Sequence, residues 1–190
     1  PSHYLEKKSF SGPLLLRDQI SDKYLLIYHR KKEVYYLCHL QNLTLKFWQD
    51  LFAKAPFSEE HVSPLLISEP VYTRLVSKTT LSLFKSLGLE LERVDELTLA
   101  LRSVPTPVQT LPVSGFVGPM IKASLESGET LETIEDLLNS LKNSPLGFTP
   151  RELSPLDFET LIEKISFTEL PESIFKELSQ DKLDNLFKNL

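Results

Sequence analysis

Cysteine, methionine and tryptophan are nearly absent, one of each in 190 residues, and no apolar run approaches the roughly 20 residues that a membrane helix needs. With Cys38 as its only thiol the chain can form no internal disulfide, which suits a reducing compartment, so a cytosolic setting is expected. No signal-peptide pattern opens the chain. It begins Pro1-Ser2-His3 without a methionine, the start expected of an excised domain. Glycine is scarce, and the six glycines form no phosphate-cradling loop. Gly115 and Gly118 lack a preceding strand and a basic flank, and read as a loop into a helix started by Pro119. A surplus of positive charge is also missing. The formal net charge of -5 weighs against strong nucleic-acid binding by this segment, because nonspecific DNA affinity comes largely from neutralising phosphates. The one basic cluster, His29-Arg30-Lys31-Lys32, lies between two strand-like runs and reads as a solvated hairpin tip.

What is present is ordinary globular composition, 41% hydrophobic and 25% charged, in a chain long enough for a sizeable core or two small lobes. Leu14 to Leu16, Tyr24 to Tyr28 and Glu33 to Leu37 predict three successive strands, an antiparallel meander. The pattern then changes period. Leu40, Leu43, Phe47 and Leu51 recur at steps of three and four, and Leu45, Trp48 and Phe52 widen the stripe into an unusually broad helical face. Such a face needs cover on more than one side, from the rest of the chain or from a second subunit. In the second case Leu43, Phe47 and Leu51 are the expected interface residues.

The middle of the chain predicts a strand, helix and hairpin. Leu65, Leu66 and Ile67 read as a short buried strand, and Val71 to Val76 after Pro70 as a further one. Ser77 is the expected N-cap of a helix that ends at Gly88, a residue suited to a left-handed C-terminal cap. Leu89/Leu91 and Leu97/Leu99/Leu101 alternate on either side of Val94-Asp95-Glu96, as a hairpin with one face on a core should, and Val104-Pro105-Thr106-Pro107 closes it. Leu131, Ile134, Leu137, Leu138 and Leu141 mark an amphipathic helix with an acidic outer face, followed by a lobe boundary across 143–154, where Pro145, Gly147 and Pro150 interrupt all periodicity. Ser154-Pro155 starts another helix carrying Phe158, Leu161, Ile162 and Ile165. Ile174 to Leu178 returns as a strand, and Ser179 caps a last helix bearing Leu183, Leu186, Phe187 and Leu190.

Pro64 to Ile67, Leu87-Gly88, and Arg102-Ser103-Val104-Pro105, in that order around the strand, helix and hairpin, resemble the C-terminal domain of the DNA mismatch-repair protein MutL over about half the chain. The resemblance implies an α+β fold of two lobes, each a small mainly antiparallel sheet with packed helices. The lobe from 63–148 would contact partners and would be inserted into a dimerisation lobe made from 1–62 and 149–190. It further implies a homodimer that tethers two N-terminal ATPase heads into a ring able to enclose DNA. Its implied partners are the mismatch sensor, a separate nicking endonuclease, a helicase and the replication sliding clamp, with DNA engaged indirectly or weakly. In this family the stretch matching Leu65, Leu66 and Ile67 docks on the clamp. Here Ser63 and Ser68 stand where family members often have Gln and Pro, so only the hydrophobic anchors remain.

Many members of the family also carry an Asp-Gln-His-Ala, x, x, Glu, x4, Glu metal-binding motif at the junction before the broad helix, whose ligands would hold a divalent metal for phosphodiester cleavage. Here His39, Leu40 and Gln41 replace Asp, Gln and His, Leu45 replaces the first Glu, and Asp50 alone keeps a carboxylate. The family's later Cys-Pro-His-Gly-type segment is absent as well, the matching region reading Phe167-Thr-Glu-Leu-Pro-Glu-Ser173. The expectation is therefore no catalytic site, no metal and no cofactor in this segment, as in the branch lacking the endonuclease motif. Cys38 and His39, adjacent in an extended strand, point to opposite faces and make no zinc site. His3 and His61 are isolated. Two alternatives stay open at this stage: a divergent metal-dependent nuclease using Asp50 with Glu59, Glu60 or Glu172, and an unrelated dimerisation or adaptor module.

Overall fold

The computed structural model describes residues 12–73, 75–144 and 147–188. His3, Pro145 and Leu190 lie outside the described residues. The first three strands are β1 (Leu14–Gln19), β2 (Tyr24–His29) and β3 (Val34–His39), paired antiparallel as the meander predicts. His29 closes the hairpin with β3 over a tip in which Glu33 adopts a positive φ of 56° and returns its N–H to the His29 carbonyl. β7 (Phe175–Glu177), from near the other end of the chain, pairs antiparallel with β3 and completes a four-stranded sheet in the order β1-β2-β3-β7. The middle of the chain builds the second sheet, from β4 (Val62–Tyr72), β5 (Leu91–Asp95) and β6 (Thr98–Pro105), ordered β4-β6-β5. The fold is α+β, and the described residues form two antiparallel sheets and six α-helices packed in two lobes.

The helices follow their sequence signals closely. α1 (Leu40–Phe52) begins directly at the end of β3, and His39 serves as its N-cap, its Nδ1 accepting the Asn42 N–H at 3.3 Å. α2 (Lys78–Ser86) starts at the Ser77 cap and ends where Gly88 turns to φ +75°. α3 (Gly118–Leu125) follows a single π-helical turn over Val113–Val117 and has Pro119 in its first turn, where a missing N–H costs nothing. α4 (Ile134–Asn143) and α5 (Pro155–Lys164) each open with a capping box, Thr133 with Asp136 and Ser154 with Asp157. Leu131 precedes α4 instead of belonging to it; its N–H donates to Thr80 Oγ1 at 2.9 Å, tying that segment to α2. α6 (Gln180–Phe187) is capped by Ser179. Among the described residues no helix is long and apolar enough to cross a membrane.

The broad face of α1 is covered by its own chain. Leu43, Phe47 and Leu51 are 0%, 1% and 3% exposed, beneath α4, α5 and the turn that carries Phe116. Phe116 meets Phe47 edge-on at 5.4 Å and stacks on Trp48 at 5.1 Å. These three α1 side chains are therefore core, and a subunit interface cannot form on them while the fold is intact. Burying seven α1 side chains contributes about 1.5–3 kcal/mol for each large one, which is why the helix forms although its sequence has no acidic first turn. The buried residues make one continuous cluster reaching from Leu14 to Phe175, shared by the two lobes.

One strand replaces the two expected in the middle region. β4 runs through Pro64 and Pro70, which an edge strand tolerates because its outward N–H positions need no partner. Val76 lies beyond its end. Between the pairs Pro64–Ser103 and Glu69–Leu101, β4 advances five residues while β6 advances two, so Leu65 to Ser68 leave the ladder as a wide bulge. Leu66 and Ile67, expected to be buried, are 105% and 87% exposed, and only Leu65 is half-buried.

Candidate interaction surfaces

The four-stranded sheet has apolar side chains on both faces. Leu25, Ile27 and Cys38 point inward and are fully buried under α1 and α5. The opposite parity carries Leu15, Tyr28 and Tyr35 in one cross-strand row and Leu26, Leu37 and Lys176 in the next, with Tyr24 and His39 paired beyond them. All of these outer residues are half-buried or exposed. Tyr28 and Tyr35 lie 5.0 Å apart, Tyr24 meets the His39 ring edge-on at 5.5 Å, and the Arg17 guanidinium sits 5.3 Å above the Tyr28 ring. The result is an apolar, aromatic sheet face with charge at its margin. An antiparallel sheet that faces water normally shows polar residues there. The signal was present in the sequence, since Leu14-Leu15-Leu16, Tyr24 to Tyr28 and Val34 to Cys38 are apolar at consecutive positions instead of alternate ones.

A second surface is the β4 bulge. Arg102 on β6 stands beside it, donating to Ser68 Oγ and, at 2.7 Å, to Glu92. The base of the bulge is fixed by Ser63, whose hydroxyl donates to Gln109 Oε1 at 2.8 Å. Leu66 and Ile67 thus project from a braced loop. A third surface is α6, every residue of which is exposed; Leu183, Leu186 and Phe187 form a bare stripe at i, i+3 and i+4.

The carboxylates named as metal ligands are not brought together. Asp50 accepts from Lys46 Nζ at 2.7 Å and from the Ser166 N–H at 3.2 Å, so it ties α1 to the end of α5. Glu172 pairs with Lys176 of β7 at 3.4 Å, and Glu59 and Glu60 form an exposed 3-10 turn before β4. Among the described residues no group of three or more His, Cys, Asp or Glu could hold a metal ion. Cys38 is fully buried in the sheet, and burial pushes its thiol far above the ordinary range. His61 Nδ1 lies 2.7 Å from Ser58 Oγ, a local contact across the 3-10 turn.

Two open clefts lie beside these surfaces. One, of about 900 Å³, runs between the lobes past Glu69, Gly115, Gly118, Lys122, Arg151 and Glu152. The other, of about 710 Å³, lies at the inner edge of the four-stranded sheet and is walled by His29, Tyr36, Phe167 and Phe175. His29 there is nearly buried, and desolvation, with help from Lys32 and Lys31, holds its imidazole below the usual pKa. Neither cleft converges a nucleophile, a base and a polar orienting group. No protein-family model matches the chain, and no curated protein matches it significantly.

Proposed function

We propose that this chain is a self-association module, the C-terminal dimerisation domain of a MutL-like mismatch-repair protein. The observation that carries the reading is the outer face of the four-stranded sheet, where Leu15, Leu26, Tyr28, Tyr35 and Leu37 stand part-exposed while, among the described residues, α1 and α5 pack on the inner face. A contiguous apolar patch with a charged margin is the anatomy of an interface. Two such domains would hold two N-terminal ATPase heads at high effective concentration, so that weak nucleotide-driven contacts between the heads suffice to close a ring around DNA. In this reading the work is cytosolic, the chain carries no active site, and strand cleavage belongs to a separate nicking endonuclease recruited with a helicase.

The test is sedimentation equilibrium over a wide concentration range, on the chain and on Leu26→Glu, which places a carboxylate at the centre of the outer face. A dimer persisting to low micromolar or below, converted to monomer by the substitution, is the expected result. A chain that stays monomeric at every concentration sinks the proposal.

The exposed bulge favours a second role within the same protein, docking on the replication sliding clamp. Leu66 and Ile67 are free to enter an apolar pocket without any unfolding of β4. Because both side chains are solvent-exposed, Leu66→Ala with Ile67→Ala should leave stability unchanged and abolish clamp binding; unchanged clamp binding removes this role.

A further inference from the structure

Among the described residues two apolar surfaces are left uncovered, and they match each other. The first is the outer sheet face described above. The second is the stripe of α6, with Leu186 and Phe187 each 70% exposed and Leu183 37% exposed. α6 leaves the sheet from its edge strand, β7, after only Leu178 and Ser179, and Leu178 is still bonded to Tyr35 while Ser179 is fixed as the N-cap. Every residue of α6 is exposed, and Lys182 lines the cleft at the inner edge of the sheet, so the helix does not fold back over the outer face of its own sheet. Resting on the self-association reading, we propose that α6 of each protomer lies across the outer sheet face of a second copy, a reciprocal two-fold exchange of helix and sheet.

Size supports the fit. An eight-residue helix is about 12 Å long, and four strands at about 4.8 Å spacing span roughly 14 Å. With aromatic side chains of about 150–250 Å² at these exposures, the reciprocal contact removes on the order of 1,000–1,500 Å² across the pair, the size of a specific interface. Charge is compatible as well. Asp184 flanks one side of the stripe and Lys182 the other, while Arg17 and Asp18 on β1 border the sheet face. A two-fold axis makes each match count twice.

The experiment uses the full chain and two readouts. Leu186→Asp combined with Phe187→Asp changes only exposed residues, so the far-ultraviolet circular dichroism and the urea midpoint should be retained. The dimer dissociation constant, read by sedimentation equilibrium, should rise at least about 10-fold, as expected for losing four buried apolar side chains, two from each protomer. In the second readout, a chain carrying Leu26→Cys is mixed with a chain carrying Leu186→Cys under mild oxidation. A mixed disulfide dimer on a non-reducing gel is expected, the native Cys38 being buried. If the unaltered chain dimerises and Leu26→Glu dissociates it, yet the α6 variant keeps full affinity and no mixed disulfide forms, the helix exchange is overturned while self-association stands. A monomeric unaltered chain overturns both.

Discussion

Phe116 lies nearly flat on Trp48, ring centroids 5.1 Å apart and planes 26° apart, and Trp48 stacks on Phe52 at 5.4 Å. Phe116 comes from the π-helical turn before α3, whereas Trp48 and Phe52 are one turn apart on α1. This contact seals the helix face that the sequence left open to either a subunit or the chain itself. Among the described residues Trp48 Nε1 has no hydrogen-bond partner, so the indole is held by packing alone. Phe116→Ala should therefore destabilise the fold by about 3–5 kcal/mol. Chemical denaturation followed by the fluorescence of the chain's single tryptophan reads this directly, and a loss below about 1 kcal/mol would mean that another group covers α1.

Gly88 and Gly128 separate two costs of a left-handed glycine. Both have positive φ, 75° and 70°. A Cβ at Gly88 would come 3.1 Å from Pro105 Cγ and 3.2 Å from Val62 Cγ2, but one at Gly128 would meet nothing within 4 Å. Gly128→Ala should thus cost only the conformational term, about 1–2 kcal/mol, and Gly88→Ala should cost more because β4 and β6 must also shift. Equal losses in urea denaturation would show that the crowding at Gly88 relaxes freely.

The elements with both a period and a punctuation mark were legible in the sequence. Ser77 and Gly88 bounded α2, Ser154-Pro155 opened α5, and Ser179 capped α6, each through a local backbone requirement that acts regardless of tertiary context. What periodicity could not supply was the identity of the neighbour. The spacing of Leu43, Phe47 and Leu51 gives the width of a buried face, and Phe116, more than 60 positions away, decides what lies on it. β4 failed for a different reason. A run such as Leu65-Leu66-Ile67 has the same composition buried or looped out, and the bulge follows from register with β6, a long-range pairing. The outer sheet face was written in consecutive apolar positions, but that pattern is equally that of a strand buried on both sides.

His29 gives the stability a sign in its pH dependence. Its imidazole is held below the ordinary histidine value of about 6.5, chiefly by burial and then by Lys32, so the unfolded chain takes up a proton that the folded chain resists. Stability is therefore full above about pH 6.5 and falls as the pH drops through that value towards the lowered folded pKa. Replacing the ring by a neutral amide, His29→Gln, should flatten the urea midpoint between pH 7 and 5.5 relative to the unaltered chain. Parallel profiles for the two proteins would assign the acid sensitivity to other groups.

Phe47 and Tyr35 should behave oppositely, and the contrast tests where core ends and interface begins. Phe47 is 1% exposed beneath Phe116, so Phe47→Ala opens a cavity in the shared core and should cost about 3–5 kcal/mol of folding stability. Tyr35 is 44% exposed on the outer sheet face, against Tyr28, so Tyr35→Ala gives up part of one cross-strand contact, worth about 0.2–1 kcal/mol. If the outer face is the interface proposed above, its larger effect should fall on association, because an aromatic at the centre of an interface typically carries a disproportionate share of the binding energy. Measuring both quantities on both variants separates the roles. If Phe47→Ala dissociates the dimer with its folding midpoint unchanged, α1 is an interface helix after all and the packing of Phe116 against it is not the solution state. If Tyr35→Ala leaves the association constant untouched while lowering the folding stability by several kcal/mol, the outer face is structural, and self-association has to be sought at the β4 bulge or at the free edge of β5.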